Sequence, residues 1–307
     1  MSRSLLAIRH LDSPVLKTLV DRAAALKASV AEDGPAKPNR PRVIGLLFFE
    51  NSTRTRVSFE QAAFYLGHKC VNFNSAGSSV SKGETLKDTI LTLKHEGLEA
   101  MVIRHNASGA CALAAKHFGG PVVNAGDGQH EHPTQALGDA LTILERKGTL
   151  TGLKVAIVGD VMHSRVARSN AWLLSKLGNE VRFVGPRTLI PSHTSMLPGQ
   201  VFYDLRAGIA DADVVMCLRL QKERMADGMI SSVSEFVRLY QVNRSSIRAA
   251  KPDAVVMHPG PLNRGIELDD HVADGAQSGV TQQVTNGVYV RMAALEWVFG
   301  AKQSIGH

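Results

Sequence analysis

Short apolar runs recur along the chain at residues 43–49, 69–73, 100–103, 121–123, 154–158, 180–184, 214–218 and 254–257. Most are continuous rather than alternating, the pattern of strands buried on both faces of a parallel sheet. Between them lie segments with helical spacing. Residues 13–30 and 58–66 are two of these, and residues 134–146 place Leu137, Leu141 and Leu144 on one face. Residues 166–177 and 286–299 read the same way. Strands alternating with helices predict an α/β chain with parallel sheets. Residues 33–42, with three prolines, and residues 191–200 read as loops. The stretch 147–152 carries two glycines after a long helix and is the best boundary between two halves.

A length of 307 residues agrees with two domains, and 44% hydrophobic residues supply two cores. No apolar run reaches the ~20 residues that span a bilayer, and the run before Arg9 is too short for a signal peptide. Cys70, Cys111 and Cys217 are widely spaced and odd in number, which suggests reduced thiols in the cytoplasm. The net charge of +7 fits plain solubility, nucleic acid or small anions. The arginines are scattered and aromatics are only 5%, so small anions fit better than nucleic acid.

Open parallel sheets bind ligands beyond the carboxyl ends of their strands. Glu50-Asn51-Ser52-Thr53-Arg54-Thr55-Arg56 follows the first run, and Arg104-His105 the third. The fourth is followed by Asn124 through Gln135, the fifth by Gly159 through Arg165, the seventh by Arg219 through Arg224, and the eighth by His258 through Arg264. Polar, cation-rich segments at one end of several strands point to an anion-binding cleft between two sheets.

Ser52 through Thr55 are suited to start a helix, whose first N–H groups and dipole bind phosphate without a glycine-rich loop, with Arg54 adding a matching fork. The competing reading is an ordinary cap followed by solvated arginines. His130-Glu131-His132-Pro133 is a weak metal pattern with no cysteine partners, and no metal is expected. Pro133 suits the first helical position, which puts His132 and Gln135 at a helix start. There His132 either donates to a carbonyl oxygen or simply caps the helix. Lys82, in the polar loop 78–85, either reaches an anion or is solvated. Arg165 and Arg219 either clamp a dicarboxylate or lie on the surface. His258-Pro259-Gly260-Pro261 is a rigid turn with carbonyls free to accept from an amide or amine, and with X-Pro bonds open to the cis form.

These segments, taken in order with Ser81-Lys82-Gly83-Glu84-Thr85, Asn124-Ala125-Gly126-Asp127-Gly128 and Leu218-Arg219-Leu220-Gln221-Lys222-Glu223-Arg224, resemble the catalytic chains of the aspartate carbamoyltransferases. The resemblance runs from about residue 43 to 300. Ornithine enzymes of similar fold have His-Cys-Leu-Pro where this chain has His258-Pro259-Gly260-Pro261. Some relatives carry two adjacent lysines in the mobile loop; this chain has Ser81 then Lys82.

The resemblance implies two domains, each a mainly parallel sheet flanked by helices, with the active site in the cleft between them. Residues 1–147 would bind carbamoyl phosphate and 148–285 aspartate, with a helix from about 286 to 307 packing back on the first domain. Ser52, Thr53, Arg54 and Thr55 would hold the phosphate. Thr55, Arg104 and His132 would point at the carbonyl oxygen, and Gln135, Pro259, Gly260 and Pro261 would lie at the amide. Arg165, Arg219 and Gln221 would hold the aspartate carboxylates. Ser79 and Lys82 would come from the neighbouring subunit of a homotrimer, with Lys82 touching both substrates. The implied reaction yields N-carbamoyl-L-aspartate and phosphate for pyrimidine biosynthesis, with no cofactor, metal, nucleic acid or membrane. Regulatory chains or a dihydroorotase-like partner are left open.

Overall fold

The computed structural model describes residues 3–36, 38, 40–74, 83–193, 197–221, 229–230 and 232–300. The chain divides into two compact units, Met1–Leu137 with Asn286–His307, and Gly138–Thr285. Both divisions fall inside long helices that run unbroken past them, α5 (Pro133–Lys147) and α10 (Val280–Phe299), rather than in the glycine-bearing stretch 147–152.

Unit 1 is built on four parallel strands, β1 (Val43–Phe48), β2 (Lys69–Asn74), β3 (Ala100–His105) and β4 (Val122–Asp127), in the order β2-β1-β3-β4. The strand order reverses between β1 and β3, which makes that junction the topological switch point. Leu47, Ile90, Met101, Ile103 and Val122 form one of its buried clusters. The helices here are α1 (Ser13–Asp33), α2 (Thr53–Tyr65), α3 (Leu86–His95) and α4 (Ala110–Phe118). Residues from α10 complete the unit. Glu296 takes two hydrogen bonds from Arg22, at 2.7 and 2.9 Å, and Lys27 donates to Asn286 at 2.8 Å. Tyr289 stacks on Tyr65, and the Arg291 guanidinium lies over Phe59. The N-terminal segment extends the sheet edge, with Leu5 bonded to the backbone of Val122 and Asn124.

Unit 2 has five parallel strands, β5 (Lys154–Val158), β6 (Glu180–Val184), β7 (Gln200–Phe202), β8 (Val214–Cys217) and β9 (Val255–Met257), in the order β7-β6-β5-β8-β9. Its switch point lies between β5 and β8. Four helices, α6 (Arg165–Lys176), α7 (Leu205–Ile209), α8 (Val233–Tyr240) and α9 (Asp270–Ala273), belong to it, together with most of α5. Val158, Val184, Val215, Phe236 and Val256 lie in one buried cluster.

Several strands differ from the apolar runs by one residue, and β3 takes in Arg104 and His105, which the sequence reading placed after it; two differences are larger. The fourth strand does not stop at residue 123 but continues through Asn124, Ala125, Gly126 and Asp127, all buried. A run rule misses this because the polar side chains are satisfied inside. Asn124 Nδ2 donates to the Leu6 carbonyl at 2.8 Å and to Asp127 at 2.7 Å. The segment 191–200, read as a loop, ends in β7, whose three residues are too few to show a period.

Candidate active site

In unit 1 the site residues collect at the carboxyl ends of β1, β3 and β4. The helix α2 starts directly after β1. Ser52 takes the N-cap in extended conformation, and its side chain makes no capping bond. Thr55 is buried, whereas Thr53 and Arg54 are exposed. Arg104 is the last residue but one of β3, in register with Phe48 of β1. Its guanidinium donates to Glu50 at 3.4 Å and to the Ala125 carbonyl at 3.5 Å. The side chain is only 13% exposed, so this cation is held against the sheet edge rather than solvated.

After β4 the chain turns through Gly128 into α5. Pro133 occupies the first helical position, and the His132 carbonyl accepts from the N–H groups of Gln135 and Ala136. His132 is buried and Gln135 half-buried. The turn is braced by two buried carboxylates. Asp127 accepts from Gly109 N–H at 2.8 Å, from Asn124 Nδ2, and from the His130 ring at 3.1 Å. Burial works to raise the Asp127 carboxyl, but His130, Asn124 and the Gly109 N–H outweigh it and hold it below its usual range. His130 is correspondingly raised by its bond to Asp127. Glu131 accepts from the Ile8 N–H at 2.7 Å and the Arg9 N–H at 3.3 Å, tying the loop that bears His132 to the N-terminal 3₁₀ turn Ile8–His10.

In unit 2 the loops flanking the switch point carry Arg165, Arg219 and Gln221. Arg165 opens α6 behind Ser164, whose side chain accepts from Ala167 N–H. It is buried, 6% exposed, so it is not the surface arginine of the competing reading. Arg219 and Gln221 are half-buried. The two loops touch. Gln221 Nε2 donates to the His163 carbonyl at 3.3 Å, and a Cβ at Gly159 would lie 3.0 Å from the Leu218 carbonyl oxygen, an approach that its φ of 119° also reserves for glycine. Asp160 accepts from the ring and the N–H of His163, at 2.9 and 3.2 Å. Burial pushes its carboxyl up in spite of that pairing. The turn at 258–261 follows β9, and its Gly260–Pro261 bond is cis. Gly260 N–H donates to His258 Nδ1 at 2.8 Å.

Arg54, Thr55, Arg104, His132 and Gln135 therefore share one sheet edge. Arg165, Arg219, Gln221, Pro259, Gly260 and Pro261 share another. Ser79 and Lys82 lie outside the described residues. Among the described residues no cluster of three His, Cys, Asp or Glu is placed to hold a metal ion, and no helix is long and apolar enough to cross a membrane. The sequence reading missed the supporting roles of Glu50, Asp127, Glu131 and Asp160. One signal was available, since Gly-Asp occurs at or just past a strand end twice, at 126–127 and 159–160, with the aspartate three residues before a histidine each time.

Two switch-point edges rich in arginine and in buried hydrogen-bonded turns describe a protein that binds anions. Residues 3–145 match the carbamoyl phosphate-binding domain of aspartate/ornithine carbamoyltransferases, and residues 151–298 match the aspartate/ornithine-binding domain. The chain belongs to the aspartate/ornithine carbamoyltransferase family. Within that family its relatives include catalytic subunits of aspartate carbamoyltransferase. That of Rhodospirillum rubrum is 51% identical, covering 97% of this chain and 94% of the relative. That of Moorella thermoacetica is 47% identical, covering 97% of each. Among solved structures, the aspartate transcarbamoylase of Trypanosoma cruzi in complex with carbamoyl phosphate and aspartate superposes with a TM-score of 0.87 at 31% identity, over 96% of both chains. The ornithine carbamoyltransferase of Pyrococcus furiosus superposes as well, with a TM-score of 0.88 at 29% identity over 98% of both. The fold alone thus does not separate the two acceptors.

Proposed function

We propose that the chain transfers the carbamoyl group of carbamoyl phosphate to the amine of L-aspartate, giving N-carbamoyl-L-aspartate and phosphate, the pyrimidine-forming reaction of the aspartate members. What carries the choice of acceptor is the unit 2 edge. Arg165, Arg219 and Gln221 suit two carboxylates, and the turn at 258–261 has no cysteine. The names of the relatives support the same choice.

In this mechanism the start of α2, with Ser52, Thr53, Arg54 and Thr55, binds the phosphate through N–H groups and the helix dipole. Thr55, Arg104 and His132 address the carbonyl oxygen. Gln135 and the backbone at Pro259, Gly260 and Pro261 hold the amide. The deprotonated aspartate amine attacks the carbonyl carbon, a tetrahedral oxyanion forms, and the C–O bond to phosphate breaks. The departing phosphate takes the amine proton. Donors aimed at the oxyanion act chiefly in the transition state, each worth about 3 kcal/mol. Bringing two anions together is a further large part of the task, and the arginines offset their repulsion. The protein works in the cytoplasm as a homotrimer in which Ser79 and Lys82 serve the neighbouring site.

Phosphate release with carbamoyl phosphate plus aspartate tests the acceptor. High turnover with aspartate and negligible turnover with ornithine is the expected result, and equal turnover would refute it. Mixing tests the shared site. Arg54→Ala and Lys82→Ala are each nearly inactive alone, and trimers reassembled from equal amounts regain roughly a quarter of wild-type activity, since every mixed trimer holds one intact site.

A further inference from the structure

Past the end of a strand, backbone N–H groups lose their ladder partners and must be satisfied otherwise if buried. The β8–β9 ladder ends with Met216 opposite Met257. Leu218 N–H still reaches the Val158 carbonyl, at 2.7 Å. Leu220, 1% exposed, has no strand left to pair with, and its N–H donates to the Glu267 carboxylate at 2.8 Å. That same oxygen, Oε1, accepts from Asn263 Nδ2 at 2.7 Å. The other, Oε2, accepts from the Asn263 N–H at 3.0 Å and stands 3.8 Å from His258 Nε2. Because His258 Nδ1 accepts from Gly260, the neutral ring carries its proton on Nε2, on the Glu267 side.

Glu267 is itself immobilised. It is 2% exposed, and its carbonyl accepts from Val242 N–H at 2.9 Å. One buried carboxylate thus joins the segment after β8 to the turn after β9. The peptide it grips on the first side lies between Arg219 and Gln221. Fixing the Leu220 peptide sets the backbone from which both of those side chains leave.

We propose that Glu267 is a positioning residue for the acceptor amino acid, holding the Leu220 peptide so that Arg219 and Gln221 are aimed at its carboxylates. This rests on the aspartate reading of unit 2. A carboxylate suits the task because both of its oxygens accept, and an acceptor bearing charge makes the stronger bond. An amide in its place keeps one accepting oxygen and turns an N–H₂ toward the donor that the second oxygen had served. A merely structural carboxylate would affect folding without favouring one substrate.

The test compares Glu267→Gln, Glu267→Met and Asn263→Ala in the full-length enzyme. Three readouts serve: KM for each substrate, kcat, and hydrogen exchange over residues 218–221. Glu267→Met leaves the Leu220 N–H with no acceptor, and KM for aspartate rises roughly tenfold or more, the equivalent of one buried bond lost. KM for carbamoyl phosphate changes by less than about threefold on the same scale, and exchange over 218–221 quickens. Glu267→Gln and Asn263→Ala fall between this variant and wild type. If Glu267→Met does not fold, those two decide the matter. Unchanged exchange and unchanged KM for aspartate in a folded variant would overturn the proposal. So would an equal rise in both KM values. A wild-type enzyme that ignored aspartate would refute the acceptor instead, and the exchange measurement would still show whether Glu267 holds the Leu220 peptide.

Discussion

Gly126-Asp127-Gly128-Gln129-His130 in unit 1 and Gly159-Asp160-Val161-Met162-His163 in unit 2 share one Gly-Asp-x-x-His spacing at a strand end. Each glycine has a left-handed φ, 112° and 119°. Each aspartate bonds the ring Nδ1 of the histidine three residues on. Each histidine stands two residues before a proposed substrate group at a helix start, His132 ahead of α5 and Arg165 opening α6. The electrostatics nevertheless differ. The His130 side chain is 24% exposed, and Asp127 gains Asn124 and the Gly109 N–H, so its carboxyl is held low. Asp160 and His163 are almost wholly enclosed, and burial drives the Asp160 carboxyl up. The spacing brings aspartate and histidine together, while the surroundings decide which protonation state the carboxyl favours.

The largest test of this parallel replaces what each turn presents. His132→Ala should lower kcat by about 10²–10³ through a lost oxyanion donor, with little change in KM for aspartate. Arg165→Ala should chiefly raise KM for aspartate. Steady-state kinetics in both substrates separates the two, and matching profiles would mean that the turns serve one role. Next in size, Asp127→Asn should destabilise unit 1 by about 1–3 kcal/mol, because donors that converge on a carboxylate meet an amide N–H₂. Asp160→Asn should cost less, since its site already disfavours the charge. Urea denaturation measures both.

The pH dependence of those two costs should run in opposite senses. A depressed carboxyl stabilises above its unfolded value of about 3.9 and loses that contribution as pH falls through its folded value. The Asp127→Asn penalty therefore shrinks in acid. A raised carboxyl stabilises most when protonated, so any Asp160→Asn penalty shrinks as pH rises through the elevated folded value. The smallest effect belongs to His130. Its raised imidazole contributes fully below the unfolded value of about 6.5, and the contribution fades as pH climbs through the folded value. His130→Gln should flatten the stability profile in that window.

Much of this site was legible because strand ends and helix starts leave local marks. Ser52 through Thr55 announce a helix start, Pro133 fixes another, and the buried runs predict parallel strands. The supports that act across sequence were not legible. Glu131 meets Ile8, Glu267 meets Leu220, and Asp139 accepts from Asn170 and Gln283. No periodicity shows which distant N–H a buried carboxylate will satisfy. Arg165 was left open between surface and site because burial depends on the whole unit. The extension of β4 through Asn124 and Asp127 was hidden for the same reason, since polar residues enter a strand only when partners elsewhere satisfy them.

The contribution of α10 to unit 1 has a consequence for the order of synthesis. A ribosome releases the chain from its N-terminus, and domains tend to fold as they emerge. Unit 2 is contiguous and can be complete once Thr285 is made, while the rest of the last helix is still unmade. Unit 1 must wait for Asn286, Tyr289, Arg291 and Glu296 to reach Lys27, Tyr65, Phe59 and Arg22. The half that is translated first is thus finished last. A stop codon near residue 285 would injure the distant N-terminal half more than the unit immediately before it, and nascent unit 1 would spend the translation of unit 2 with its α10-facing apolar surface open to chaperones.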